Sequence, residues 1–135
     1  MTRVIQWATG AVGSAQLRHV IDDPDLELVG LFVYNPKKVG QDAGTLVGRS
    51  PTGVLATDDK DAVVALDADV VLHAASKAYP RNTNTDDIVA LLESAKDVIT
   101  TTSYNHLPTY GTDVPRRIAE ACATGGTRFH AAGEH

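Results

Sequence analysis

Short apolar runs rich in β-branched residues alternate along this chain with segments whose apolar residues recur every three to four positions. Six such runs occur, at residues 4–8, 26–34, 53–57, 70–75, 98–102 and 127–132. They are short and nearly continuous, which is typical of parallel strands buried on both faces. Segments of helical period lie between them, centred on residues 17–21, 63–66, 88–95 and 114–122. The sequence therefore predicts six parallel strands connected by helices.

Strands that alternate with helices are joined by right-handed crossovers, which place helices on both faces of one sheet. We predict an α/β fold with a doubly wound, Rossmann-like parallel sheet in the strand order 3-2-1-4-5-6. This order reverses between the first and fourth strands and opens a crevice beyond their carboxyl ends. Residues 35–52 contain several glycines and prolines and no clear periodicity, so we expect a surface excursion there.

Composition restricts the classes of partner and location. The 135 residues, 43% of them hydrophobic, are enough for a single domain with one core. A formal net charge of −5 gives no basic surface for nucleic acid or an anionic membrane. One cysteine and no metal-ligand spacing indicate neither a disulfide nor a structural metal, and they favour a reducing, cytoplasmic location. No secretory pattern or membrane-spanning apolar run is present.

A glycine-containing turn, ATGAVG at residues 8–13, follows the first predicted strand and begins the first predicted helix. Backbone amides in such a turn, together with the helix dipole, bind the pyrophosphate of a dinucleotide. Gly10 lets the backbone approach such a ligand, and Gly13 lets the helix pack closely on the strand. This turn is therefore the candidate binding site for a dinucleotide.

The dinucleotide fingerprint is G-x-G-x-x-G/A, and Ala8 stands here in place of its first glycine. The position of the motif between a strand and a helix supports the interpretation. A tight strand-to-helix connection that binds no ligand is the alternative. We predict that the amides of Ala11 and Val12 bind the pyrophosphate, and that the cofactor-binding residues of the turn are Thr9, Gly10, Ala11, Val12 and Gly13.

The end of the second predicted strand indicates which dinucleotide would bind. NAD sites usually carry an Asp or Glu there, which accepts hydrogen bonds from the adenosine ribose and would repel a 2′-phosphate. Here Asn35, Lys37 and Lys38 offer amide and ammonium donors to a phosphate, and Arg49 is a more distant candidate. We predict NADP(H) as the preferred cofactor, with NAD(H) as a second cofactor still open. The alternative is that both lysines are solvated loop charges.

Three residues at strand ends are predicted to lie beside the crevice. Ala8, Ala75 and Thr102 end the first, fourth and fifth predicted strands, and we include Ala75 and Thr102 among the cofactor-binding residues. His73 lies inside the fourth strand, where a buried, neutral imidazole is the usual state. Cys122 lies on the apolar stripe of its helix, which indicates an inert core thiol.

Three short motifs together are typical of one known family. They are QW before TGxxG at residues 6–13, PDLELVG at 24–30 and KVGxDAG at 38–44. On these motifs the chain resembles the dihydrodipicolinate reductase-like proteins and their relatives, the 2,4-diaminopentanoate dehydrogenases and native amine dehydrogenases. The resemblance implies an NAD(P)-binding Rossmann-like domain over residues 1–135. In relatives a substrate domain follows, so we expect this chain to be a fragment or a truncated gene product.

The resemblance also implies a site that this chain lacks. Amine dehydrogenases of the family carry a glutamate on the loop after the fifth strand, whereas residues 102–108 contain no carboxylate. Tyr104 and His106 in this loop are candidate proton donors. The alternative is that they are polar contacts to a cofactor or a neighbouring domain, and the catalytic residue stays unassigned.

Two functions are compatible with these features. The first is the NADP(H)-binding domain of an oxidoreductase that transfers hydride between a nicotinamide and a C=N or C=O bond of a small-molecule substrate. The second is a non-catalytic nucleotide-binding or redox-sensing module. Neither nucleic acid nor a membrane is expected as a partner. The chain is compatible with a monomer, and also with a homo-oligomer formed through an apolar patch that no second domain covers.

Overall fold

The computed structural model describes residues 1–75, 81–101 and 113–131. Over these residues the chain forms parallel strands connected by helices, as the alternating pattern predicts. In chain order the elements are β1 (Thr2–Trp7), α1 (Ala11–Asp22), β2 (Leu26–Phe32), a 3-10 turn (Pro36–Lys38), α2 (Ala43–Leu46), α3 (Lys60–Val64), β3 (Val70–His73), α4 (Arg81–Glu93), β4 (Asp97–Thr100), α5 (Asp113–Gly125) and β5 (Phe129–Ala131). Among the described residues, every helix is too short or too polar to cross a bilayer.

The five strands form one parallel sheet in the order β2-β1-β3-β4-β5. The first strand is an interior strand, since Trp7 pairs with Phe32 of β2 on one side and with His73 of β3 on the other. The direction of winding therefore reverses beside β1, where the crevice was predicted. The Rossmann-like α/β fold class is confirmed.

The predicted third strand, residues 53–57, is wrong. Within the described residues this segment makes only isolated bridges, from Thr57 to Phe32 and from Leu55 to Asp42. Its other backbone hydrogen bonds go to the preceding loop, for example from the amide of Ala43 to the carbonyl of Val54 at 2.8 Å. The segment pairs locally with residues 40–43, so only its last residue lies along β2.

The expected surface excursion at residues 35–52 is also wrong in part. Asp42 caps α2 by accepting from the amide of Gly44 at 2.8 Å, and it accepts from the amides of Thr52 and Gly53 at 2.8 and 2.7 Å. These bonds hold the pKa of the Asp42 carboxyl below its usual range, mainly through the Thr52 amide. The segment is consequently folded back, and Ala43 behind the cap is fully buried.

Two apolar clusters form the core. The larger joins β1 and β3 to α4 and α5, and the smaller packs α1 against β2 and the folded-back segment. The smaller cluster consists of Leu17, Leu31, Val33, Ala43, Val47 and Ala56. The folded-back segment therefore contributes Ala43 and Val47 to the core.

Candidate functional site

The turn between β1 and α1 carries the motif that the sequence singles out. Ala8 follows β1 with φ of 83°, in the left-handed region that a side chain disfavours. This conformation accounts for the glycine that the fingerprint has at this position. Ala8 is held there because its amide donates to the carbonyl of Phe32 at 2.8 Å. The departure from the fingerprint therefore leaves the shape of the turn intact.

The helix α1 begins directly after the turn, with Gly10 as its N-cap residue. Glycine supplies no capping side chain, and the first turn of α1 contains no acidic residue. The first amides of a helix lack intrahelical acceptors and carry its partial positive charge. Gly10, Ala11 and Val12 are all exposed, so these donors are accessible to an anion.

Gly13 packs the helix against the strand. A Cβ at this position would collide with the carbonyl oxygen and carbon of Ala8, which are backbone atoms and cannot move aside as a flexible side chain could. A Cβ at Gly10 would meet nothing within 4 Å of the protein. The two glycines therefore act differently: Gly13 permits close packing, as predicted, and Gly10 leaves open space at the mouth of the turn.

A cleft of about 470 Å³ lies beyond the carboxyl ends of the central strands. Its lining brings together seven of the ten residues predicted to bind a cofactor: Thr9, Gly10, Ala11, Val12, Asn35, Lys38 and Ala75. Gly13 and Lys37, both within the described residues, do not line it. Thr102 lies outside the described residues. The geometry is that of a ligand site at the reversal point of an α/β sheet.

The Lys38 side chain crosses from the 3-10 turn to the glycine-containing turn. Its Nζ donates to the hydroxyl of Thr9 at 2.9 Å and to the carbonyl of Thr9 at 3.3 Å. Lys38 is half-buried, whereas Lys37 is exposed. Among the described residues that line the cleft, Lys38 is the only cation and no carboxylate is present.

Asn35 lines the same cleft and is the N-cap residue of the 3-10 turn. Its Oδ1 accepts from the amide of Lys37 at 2.9 Å and caps the 3-10 turn. Because an oxygen cannot donate, only the Nδ2 group of this side chain can serve a phosphate. Asn35 thus has both a structural contact and a donor at the cleft.

Ala8 lines the cleft, as its predicted place at the end of the first strand indicates. Three further residues of the lining were not predicted: Tyr34, Ala74 and Thr101. Two of them directly follow a strand, β3 for Ala74 and β4 for Thr101. Strand ends placed one residue earlier would have found Ala74 and Thr101. Tyr34 is an aromatic residue at the end of an apolar run, and this pattern is the signal in the sequence that could have indicated its place at the cleft.

Two other residues singled out in the sequence, His73 and Cys122, do not line the cleft that the described residues form. His73 is fully buried, with Nδ1 at 2.8 Å from the Thr100 hydroxyl, and burial lowers its pKa to about 3. This confirms the neutral imidazole. Burial raises the pKa of the Cys122 thiol, in agreement with an inert core cysteine. Tyr104 and His106 lie outside the described residues.

Comparisons with known proteins agree with this geometry. Residues 2–109 match the sequence model of the family described as "Dihydrodipicolinate reductase, N-terminus". An amine dehydrogenase of Streptomyces virginiae is 37% identical over 105 residues, which are 77% of this chain and 29% of that protein. A 4-hydroxy-tetrahydrodipicolinate reductase of Burkholderia ambifaria is also 37% identical over 105 residues, 77% of this chain and 38% of that protein. The match therefore spans well under half of each relative.

Solved structures share the fold. The amine dehydrogenase of Mycobacterium smegmatis matches with a TM-score of 0.80 and 24% identity over 98% of this chain and 39% of that chain. Biliverdin reductase of Synechocystis sp. PCC 6803, solved in complex with biliverdin and NADP+, matches with a TM-score of 0.71 and 15% identity over 96% and 37% of the two chains. Since the family match covers residues 2–109, the chain belongs to the dihydrodipicolinate reductase N-terminal family of dehydrogenase and reductase nucleotide-binding domains.

Proposed function

We propose that this chain is the cofactor-binding domain of an oxidoreductase, that it binds a nicotinamide dinucleotide in the cleft, and that it prefers NADP(H) to NAD(H). The observation that carries the proposal is the start of α1, which presents uncapped amides to a cleft at the carboxyl edge of the sheet. This combination is the usual receptor for a pyrophosphate.

The residues of the turn fit a pyrophosphate sterically and electrostatically. Gly10 has open space where a Cβ would stand, so a phosphate can approach the backbone there. Ala11 and Val12 then supply amide donors at the positive end of the α1 dipole. Gly13 contributes indirectly, because it sets the distance between α1 and the carbonyl of Ala8.

The preference for NADP(H) is supported by the polar groups that the segment after β2 contributes to the cleft lining. Lys38 and the Nδ2 group of Asn35 can donate to a 2′-phosphate. The carboxylate that would repel this phosphate is absent from the described lining. NAD(H) remains a second cofactor in this proposal, because both dinucleotides carry the pyrophosphate that the turn would bind. We assign the phosphate to Lys38 and not to Lys37, because only Lys38 lines the cleft.

The reaction that we propose is hydride transfer to or from a C=N or C=O bond of a small molecule. The bound nicotinamide would supply the hydride chemistry, and the chain's own residues bind and orient the cofactor. The family consists of dehydrogenase and reductase domains, which favours this function over a non-catalytic nucleotide-binding or sensing module. The residues that handle the substrate and its proton are not assigned.

Titration of the single tryptophan tests the proposal. Trp7 is fully buried at the end of β1, directly before Ala8 of the cleft lining. We expect saturable quenching of its fluorescence by both reduced cofactors, with a lower Kd for NADPH than for NADH. Absence of saturable binding of either cofactor would contradict the dinucleotide site. Equal Kd values would contradict the preference alone.

A further inference from the structure

The contact between Thr9 and Lys38 joins two segments of the cleft lining, the glycine-containing turn and the 3-10 turn. Thr9 precedes the N-cap of α1, and Lys38 ends the 3-10 turn after β2. The ammonium group donates to two oxygens of the same residue, the hydroxyl at 2.9 Å and the carbonyl at 3.3 Å. Thr9 is only 8% exposed, so its side chain is itself fixed by its surroundings.

An ammonium group has three N–H donors and no acceptor. The two oxygens of Thr9 take two of these donors and leave one for a ligand in the cleft. A lysine side chain otherwise loses much rotamer freedom when it binds an anion. Anchoring before binding removes part of this entropic cost, which is the general effect of preorganisation.

A comparison of Lys37 with Lys38 shows how the position of the charge depends on local structure. Lys37 has the same charge and lies one position earlier in the same 3-10 turn. It is exposed and does not line the cleft that the described residues form. A turn with three residues per repeat separates adjacent side chains by about 120°. The charge of Lys38 is therefore placed at the cleft by its position in the turn and by its partner Thr9.

We propose that Thr9 is a positioning residue for cofactor specificity, which holds the Lys38 ammonium where a 2′-phosphate binds. This inference rests on the proposed function, because it assumes a dinucleotide in the cleft. It adds a role for a hydroxyl that the fingerprint leaves unspecified, since the motif places any residue between its first two glycines. Thr9 acts through Lys38 and need not touch the phosphate itself.

The test compares Thr9→Val with Thr9→Ser in the full chain, by Trp7 fluorescence titration with NADPH and with NADH. Valine keeps the shape of threonine and removes the hydroxyl, whereas serine keeps the hydroxyl. We expect Thr9→Val to raise the Kd of NADPH by about threefold to tenfold, the range for ordering one long side chain. The Kd of NADH should change less than twofold, and Thr9→Ser should behave as the wild type.

A double-mutant cycle isolates the route of the effect. Lys38→Met removes the ammonium group and keeps the stem, and in this background Thr9→Val should leave the ratio of the two Kd values unchanged. The inference is overturned if Thr9→Val affects NADPH and NADH equally, if it affects neither, or if it changes the ratio as strongly without Lys38. If the wild-type protein binds neither cofactor, the proposed function is refuted. If it binds both with equal Kd, only the preference for NADP(H) is refuted. If the wild type prefers NADPH and Thr9→Val keeps that preference, only the role of Thr9 is refuted.

Discussion

The indole Nε1 of Trp7 donates a hydrogen bond of 3.0 Å to the hydroxyl of Tyr34. This bond connects the fully buried end of β1 to a half-buried residue that lines the cleft. The ring of Tyr34 is also edge-on to Phe32, with 4.9 Å between centroids, and Phe32 in turn stacks on Trp7. The three aromatic rings are thus in mutual contact beside the cleft, which Tyr34 lines.

Replacement of Tyr34 by phenylalanine should destabilise the fold. The substitution keeps the edge-on ring and removes the acceptor of the buried Trp7 donor, which costs about 1 to 3 kcal/mol when no water replaces it. Urea unfolding followed by far-UV circular dichroism measures the loss, and the emission maximum of Trp7 reports the change around its indole. An unchanged free energy of unfolding would show that another group satisfies the indole.

Alanine should lower the free energy of unfolding much more at Gly13 than at Gly10. Gly13→Ala places a Cβ against the backbone carbonyl of Ala8, and such overpacking costs about 1 to 3 kcal/mol. Gly10→Ala is the matched control for stability, because nothing lies within 4 Å of its Cβ and φ of −67° suits alanine. Its free energy of unfolding should change by less than about 1 kcal/mol.

Gly10→Ala should weaken cofactor binding, although it should have little effect on stability. A methyl group at the mouth of the turn keeps a phosphate from the amides, and loss of one charge-assisted hydrogen bond costs about 1.5 kcal/mol or more. We expect Gly10→Ala to weaken NADPH and NADH alike, by about tenfold or more. A Gly10→Ala variant with wild-type affinity for both cofactors would place the pyrophosphate elsewhere.

The turn was predictable because its sequence carries a steric requirement. The spacing of Gly10 and Gly13 after an apolar run indicates a strand-to-helix connection with close packing, and the contact with Ala8 is what that spacing demands. Residues 53–57 were not predictable in the same way. A short apolar run has the same pattern whether or not it joins a sheet. Its hydrogen bonds to residues 40–43 depend on a loop whose fold the sequence does not indicate.

The sequence also does not predict that Lys38 lines the cleft and Lys37 does not. Lys37 and Lys38 are identical in type and adjacent in sequence, so composition and charge assign both to the phosphate. Their separation depends on the 3-10 turn, which Asn35 caps through its Oδ1 at 2.9 Å. Local structure at this place therefore decides which charge lies at the cleft.

Removal of the Lys38 charge should weaken NADPH much more than removal of the Lys37 charge. Lys38→Met should cost about 1.5 to 3 kcal/mol of NADPH binding, the range for a hydrogen bond to a charged group, and leave NADH nearly unchanged. Lys37→Met removes the same charge from the exposed side and should have a small effect that salt screens. Isothermal titration calorimetry at two salt concentrations measures both. Equal losses for the two variants would mean that the phosphate does not bind at Lys38.

Acidification should destabilise the protein through His73. Burial lowers the pKa of this imidazole from 6.5 to about 3, so between these values the unfolded chain binds more protons than the folded chain. The contribution is complete above pH 6.5 and is lost as the pH falls, by about 2 kcal/mol at pH 5 for one such group. His73→Asn does not titrate, keeps a polar partner for Thr100, and loses the stack on Trp7. The variant should therefore have a lower free energy of unfolding at pH 7, because the stack is lost. Between pH 7 and pH 5 its free energy of unfolding should fall less than that of the wild type, because asparagine takes up no proton. The contributions of the carboxylates are common to both proteins and cancel in this comparison. Urea unfolding at pH 7 and pH 5 checks this. An equal loss of stability in the two proteins would show that the folded protein tolerates a charged His73.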